Sequence, residues 1–140
     1  MIVLDTNVVS ELMQPAPTLA VLDWVDSREP SELVITAITA AELRASVALL
    51  PVGRRRNEIG RRMESLVTRT FAGSVLSFDV DATPHYADVV ATRQHTGKPI
   101  AAMDAEIAAI CRQYAATLAT RNISDFAATG VELVNPWEPA

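Results

Sequence analysis

Met1-Ile2-Val3-Leu4-Asp5-Thr6-Asn7 sets four apolar side chains against three polar ones, with no alternation between them. An unbroken apolar run this short suits a strand buried on both faces, the pattern of a parallel sheet. The change at Asp5 puts a carboxylate where that strand ends. Val8, Val9, Leu12 and Met13 then recur at helical spacing. Thr6 or Asn7 supplies the helix cap, and Pro15 and Pro17 stop the helix.

The same succession of strand and helix continues outward from this opening. Residues 18–27 form a helix with Leu19, Leu22 and Val25 on one face, and residues 33–36, Leu-Val-Ile-Thr, a second buried strand. A helix over 39–50 ends at Pro51 and Gly53. Residues 54–70 are helical but mostly polar, with Ile59, Met63, Leu66 and Val67 as the apolar stripe. Strand 75–78, helix 81–95, the alanine-rich helix 101–114, and strands 117–120 and 131–134 complete the pattern. Pro84 is allowed in the first turn of its helix. Strands that alternate with helices predict an α/β fold around a parallel sheet. Folds of that class bind ligands beyond the carboxyl ends of their strands, so the residues just after each strand carry the interest.

The chain has 140 residues, which favours one domain over residues 1–140. A hydrophobic fraction of 49% with 21% charged residues excludes general disorder. The net charge of −5 argues against a protein that coats nucleic acid through bulk charge. It leaves room for an enzyme that handles nucleic acid at one place. A single cysteine, Cys111, allows no intrachain disulfide and no thiolate metal cluster. With no leader-like opening and no apolar run long enough to span a membrane, the chain reads as cytoplasmic.

Four carboxylates fall near successive junctions. Asp5 closes the first strand, and Glu42 lies in the first turns of the helix after the second. Asp104 stands near the start of the alanine-rich helix, and Asp125 follows the fourth strand. Any one of them serves equally well as a helix cap or a solvated charge. Together at one sheet edge they would repel and raise one another's pKa values. A divalent hard cation offsets that repulsion, because oxygen ligands suit magnesium and manganese. The chemistry that follows is phosphodiester hydrolysis by a metal-activated water.

Four stretches carry a resemblance. Met1-Ile2-Val3-Leu4-Asp5-Thr6-Asn7-Val8-Val9-Ser10-Glu11-Leu12 resembles the opening of a PIN-domain protein. Ile38-Thr39-Ala40-Ala41-Glu42-Leu43-Arg44 is similar to the second acidic motif of that family, and Ile100 to Ala109 to the third. Ala119-Thr120-Arg121-Asn122-Ile123-Ser124-Asp125-Phe126 is similar to the fourth. Their order and spacing resemble the VapC-type toxins of bacterial toxin–antitoxin pairs, above all the FitB-like group.

The resemblance implies one α/β/α domain with a central, mostly parallel five-stranded sheet. It implies a Mg²⁺- or Mn²⁺-dependent endoribonuclease with RNA as substrate. A cognate antitoxin, a homodimer and a larger complex on operator DNA are implied partners. Asp5 and Asp104 would be the principal metal ligands, Glu42 would complete the acidic cluster, and Asp125 would be the fourth acid. Asn122, where some relatives carry an acid, is the neutral alternative at the fourth position. Thr6 and Asn7 would orient Asp5, Thr120 would do the same near the fourth motif, and Ser10 would reach a bound water. Ser46 replaces the glycine of many relatives. Glu106, two residues past Asp104, is expected to point away from the cluster.

Arg44 has two readings, a substrate-phosphate contact or a salt bridge. Arg54, Arg55, Arg56, Arg61, Arg62 and Arg69 place six of the eleven arginines in one segment. That segment reads as a phosphate track, a solvated helix face or a partner surface. His85 and His95 show no metal-ligand spacing, and Cys111 is expected to be a buried small hydrophobe. Trp24 and Trp137 are isolated and make no base-stacking platform. Two other functions fit less well. A phospho-accepting receiver domain also clusters acids after strands, but Lys98-Pro99 precedes Asp104 and the fourth strand, the wrong order for one. A catalytically silent PIN-like binding module would have no need of the acids that are present.

Overall fold

The computed structural model describes residues 1–139. Its centre is β1 (Ile2–Leu4). Val3 and Leu4 are both fully buried, and successive strand residues point to opposite faces. Leu4 therefore enters one core, with Val8, Val21, Ile35 and Phe71. Val3 enters the other, with Val34, Ile107, Leu118 and Phe126. Burial on both faces is the reason the strand carries no polar side chain.

Two parallel partners flank β1. On one side Val3 pairs with Val34 of β2 (Leu33–Thr36). On the other it pairs with Leu118 of β4 (Thr117–Ala119). β3 (Val75–Leu76) and β5 (Leu133–Val134) close the edges, and every pairing is parallel. The order is β3-β2-β1-β4-β5. Chain progression runs outward from β1 to β3 and then resumes on the opposite side at β4. That reversal opens a crevice beyond the carboxyl ends of β1 and β4, the place where such sheets take ligands. A receiver-type sheet would order its strands 2-1-3-4-5, so the order seen here removes that alternative.

Helices cover both faces. α1 (Thr6–Leu12), α2 (Leu19–Asp26), α3 (Ala37–Ala48) and α4 (Arg54–Ser65) lie over the Leu4 core. α5 (Thr83–His95) and α6 (Ala102–Gln113) cover the Val3 core. Ala105, Ala108 and Ala109 of α6 are fully buried, which lets neighbouring backbones come close.

The helix caps differ from expectation. Asp5, not Thr6 or Asn7, caps α1: its Oδ1 accepts the Thr6 amide at 2.8 Å. Thr36 caps α3 by accepting the Thr39 amide at 3.1 Å, so that helix begins two residues earlier than its pattern suggested. The polar helix ends in a widened turn over Leu66–Thr70, where the Phe71 amide reaches back to the Leu66 carbonyl. The third and fifth strands keep two residues each, because only those find ladder partners.

Candidate active site

Three elements that begin or end at the crevice bring the acids together. Asp5 leaves β1 just where its amide makes a last ladder bond to the Ala119 carbonyl, 2.9 Å away. Only 5% of Asp5 is exposed. Its Oδ2 accepts the Thr120 hydroxyl at 2.8 Å and the Asn7 amide group at 3.3 Å. The carboxylate is thus held by its own cap and by a residue 115 positions away, just past β4.

Glu42 rises from α3 toward the same groove, and its Oε1 accepts the Thr6 hydroxyl at 2.9 Å. That hydroxyl also lies 3.0 Å from the Thr39 hydroxyl. Asp104 enters from the first turn of α6. A groove of about 460 Å³ is lined by Asp5, Thr6, Asn7, Glu42, Asp104 and Asn122, with Ser10 at its edge. Asp125 stands on the single-turn helix Ile123–Phe126 beside it, exposed and outside the groove wall.

The electrostatics follow from burial and crowding. Burial pushes the Asp5 carboxyl pKa up; the Thr120 and Thr6 hydrogen bonds pull it back, and the charge of Asp125 raises it further. Glu42 is raised by burial and by Asp5, with the Thr6 hydroxyl opposing. Asp104 moves furthest, from 3.8 to about 6. Burial contributes most to its shift, the charges of Asp5, Asp125 and Glu42 add to it, and Arg93 opposes them. Asp5, Glu42 and Asp104 are thus each harder to ionise, by burial first and by a neighbouring carboxylate in addition.

Among the described residues, no three His, Cys, Asp or Glu side chains already stand close enough to enclose an ion. The acids are within electrostatic reach of one another without forming a closed cage. The donors are all oxygens, and their uncompensated charge calls for a positive partner.

The PIN domain family model matches residues 2–131. The chain belongs to the PIN domain family. A VapC ribonuclease, Y4jK, of Sinorhizobium fredii is 46% identical over 140 residues, covering 100% of both chains. The toxin FitB of Neisseria gonorrhoeae is 42% identical over 137 residues, covering 98% of this chain and 99% of FitB. A solved structure of FitAB bound to an IR36 DNA fragment superposes with a TM-score of 0.93 at 41% identity, over 100% of this chain and 98% of that one. PIN domain membership and its ribonuclease relatives make the chain a nuclease by family.

Within this PIN domain, most residues singled out from sequence converge. Asp5, Thr6, Asn7, Ser10, Glu42, Asp104 and Asn122 share the groove. Thr120 lies beneath it, fully buried, donating to Asp5 and accepting the Asn122 amide at 3.0 Å. Arg44 does not join them. Its guanidinium makes a two-pronged ion pair with Glu64 at 2.6 and 3.2 Å, on the exposed surface between α3 and α4. The salt bridge is the one of its two readings that the structure shows, and Arg44 lies outside the groove. Cys111 is fully buried, and burial pushes its thiol pKa up to about 12, so it stays inert.

Sequence reasoning missed three groups. Thr39 touches Thr6 beneath Glu42. Arg93 is a buried arginine on α5, and Arg121 and Trp137 stand together at the groove mouth. A helix face of mixed residues gave no hint that Arg93 turns inward.

Thr120 offers a direct test of this arrangement. Replacing it with valine removes the hydroxyl that serves Asp5 and leaves the Asn122 amide without its partner. Because one of those bonds goes to a buried carboxylate, T120V is expected to destabilise the protein by about 2 kcal/mol in urea unfolding. T120S, which keeps the hydroxyl, should lose less than half as much. Equal losses for the two would mean that packing of the methyl group dominates.

Proposed function

We propose that residues 1–140 form one PIN domain acting as a Mg²⁺- or Mn²⁺-dependent endoribonuclease, the toxin of a toxin–antitoxin pair that works in the cytoplasm. The observation that carries this reading is the convergence of Asp5, Glu42 and Asp104 on one groove, with Asp125 beside it. The acids share a repulsion that the folded chain leaves largely unrelieved.

Asp5 and Asp104 would be the principal ligands, with Glu42 and Asp125 bounding the cluster. A metal ion bound there would polarise the phosphodiester and lower the pKa of a water. Thr120, Thr6 and Asn7 fix the direction of the Asp5 lone pairs, and Thr6 does the same for Glu42. Asn122 presents a neutral polar side chain to the groove, which suits a water or a sugar hydroxyl.

The antitoxin reading draws on FitAB, a close structural relative named as a DNA-bound assembly. It also draws on a second groove of about 430 Å³. Met13, Leu43, Val47 and Ile59 give that groove an apolar floor, and Arg55 and Arg62 stand at its rim. The two grooves meet at Ser10 and Gln14. A partner segment with apolar anchors and acidic flanks fits such a surface, which favours the partner reading of the arginine cluster. A homodimer and a larger assembly on operator DNA complete the proposal.

Incubation of purified protein with RNA and Mg²⁺ or Mn²⁺ tests the activity. Cleavage is expected to stop in EDTA and to be lost in D5N. Cleavage that persists in either case would defeat the metal mechanism.

A further inference from the structure

The groove holds a charge problem that the acids alone do not solve. Asp5, Glu11, Glu42 and Asp104 line it, and Arg121 is the one cation among the lining residues. RNA brings more negative charge on each side of the bond to be cut. A metal ion held by the acids would serve the phosphate that reacts, and the neighbouring phosphates along the strand need a donor of their own.

Arg121 is built for that task. It follows directly on Thr120, so its backbone is tied to the floor of the site. Its amide donates to the Asn7 side-chain oxygen at 3.3 Å. Its guanidinium lies over the Trp137 ring, 5.0 Å from the centroid, within range of a cation–π contact. Trp137 is itself anchored. Its amide donates to the Asn135 side chain at 3.0 Å, and its indole packs on the Leu4 core. Among the described residues, no carboxylate stands within ion-pair distance of Arg121. By contrast, Arg44 and Arg112 are both consumed in ion pairs. The guanidinium is thus exposed, oriented and free of an anion, at the mouth of a groove proposed to take a polyanion.

We propose that Arg121 binds an RNA phosphate next to the one that is cut, and that Trp137 is the positioning residue that holds it there. This rests on the ribonuclease reading. The contact with the ring uses the charge of the guanidinium and consumes none of its N–H donors as hydrogen bonds, so they stay available to grip phosphate oxygens.

The test is binding of a short fluorescent single-stranded RNA in EDTA, by anisotropy across a salt series, so that cleavage plays no part. Loss of one phosphate contact should reduce the slope of log K against log salt by about 0.7. R121A should show that reduction, and R121Q repeats the measurement should R121A fail to fold. R121K should retain the slope. W137A should keep the slope, because the charge remains, yet bind several-fold more weakly; W137F should be nearly normal. With Mg²⁺ present, R121A should raise KM and leave kcat within a few-fold. Wild-type binding with an unchanged slope in R121A overturns this inference and leaves the nuclease reading intact. So does an R121A that keeps RNA binding and loses only its protein partner. A wild-type protein that neither binds nor cleaves RNA overturns both.

Discussion

Asp104→Asn is expected to make the metal-free protein more stable and the enzyme inactive. Asp104 ionises near 3.8 in the unfolded chain and near 6 in the folded one. Between those values the folded state holds the extra proton. The contribution of this group to stability is therefore highest at low pH and falls as pH rises through 6. At pH 7 the charged carboxylate opposes folding. Asparagine keeps the shape and removes the charge. Allowing for solvent screening of a half-buried group, the gain should be about 1–2 kcal/mol at pH 7. For a chain of this size that is roughly 3–8 °C in melting temperature. The gain should fade toward pH 4, where Asp104 in the wild type is already largely neutral. RNA cleavage should drop roughly 10³-fold or more, since a Lewis-acid metal contributes several kcal/mol to such a reaction. Paired melts in EDTA at pH 4 and pH 7, with and without saturating Mg²⁺, check each part. A variant no more stable than wild type at pH 7 would show that Asp104 is not under electrostatic strain.

Arg93→Ala should have the opposite effect on stability. Arg93 is 6% exposed, and every hydrogen bond its guanidinium makes goes to a backbone carbonyl. Nε donates to Lys98 at 2.7 Å, and Nη1 donates to Asp125 at 2.6 Å and Ala127 at 3.1 Å. It ties the loop before α6 to the turn that carries Asp125, so two acidic positions depend on it. Removing it leaves three carbonyls without their donor and a void where the side chain ran. About 3 kcal/mol of stability should be lost, a fall of roughly 10 °C. A second consequence concerns charge. Arg93 holds the Asp104 pKa below what its acidic neighbours would impose. Without it, the acid limb of the Mg²⁺-dependent rate should move to higher pH. Arg93→Lys, which keeps a charge but not the fork, should restore part of the pH profile and little of the stability. A normal melting temperature for R93A would mean that the turn is held by other contacts.

The strands were legible because each is short, apolar and buried on both faces, so composition alone marks them. Asp5, Asp104 and Asp125 were legible because each stands near the start or end of a strand or helix, whereas Glu42, inside α3, was legible through its motif. What escaped was set by partners distant in sequence. Nothing near Arg93 announces that it reaches 32 residues onward to the Asp125 carbonyl. The cap on α1 was misplaced because Asp5 reads first as a ligand, and it is also the residue that turns the chain. Arg44 stands two residues past Glu42, and on a helix that spacing points the two side chains apart. The pairing of Arg121 with Trp137 joins residues from either side of β5, and no local pattern predicts it.

The 115-residue separation of Asp5 and Thr120 also sets when this groove can be completed during synthesis. A ribosome delivers β1 early, and β4 only after most of the chain is made. Until then the central strand lacks one of its two neighbours, Asp5 lacks its hydroxyl partner, and the switch-point crevice has a single wall. A growing chain that already carries Asp5, Glu42 and Asp104 still lacks the buried hydroxyl that holds Asp5 in place.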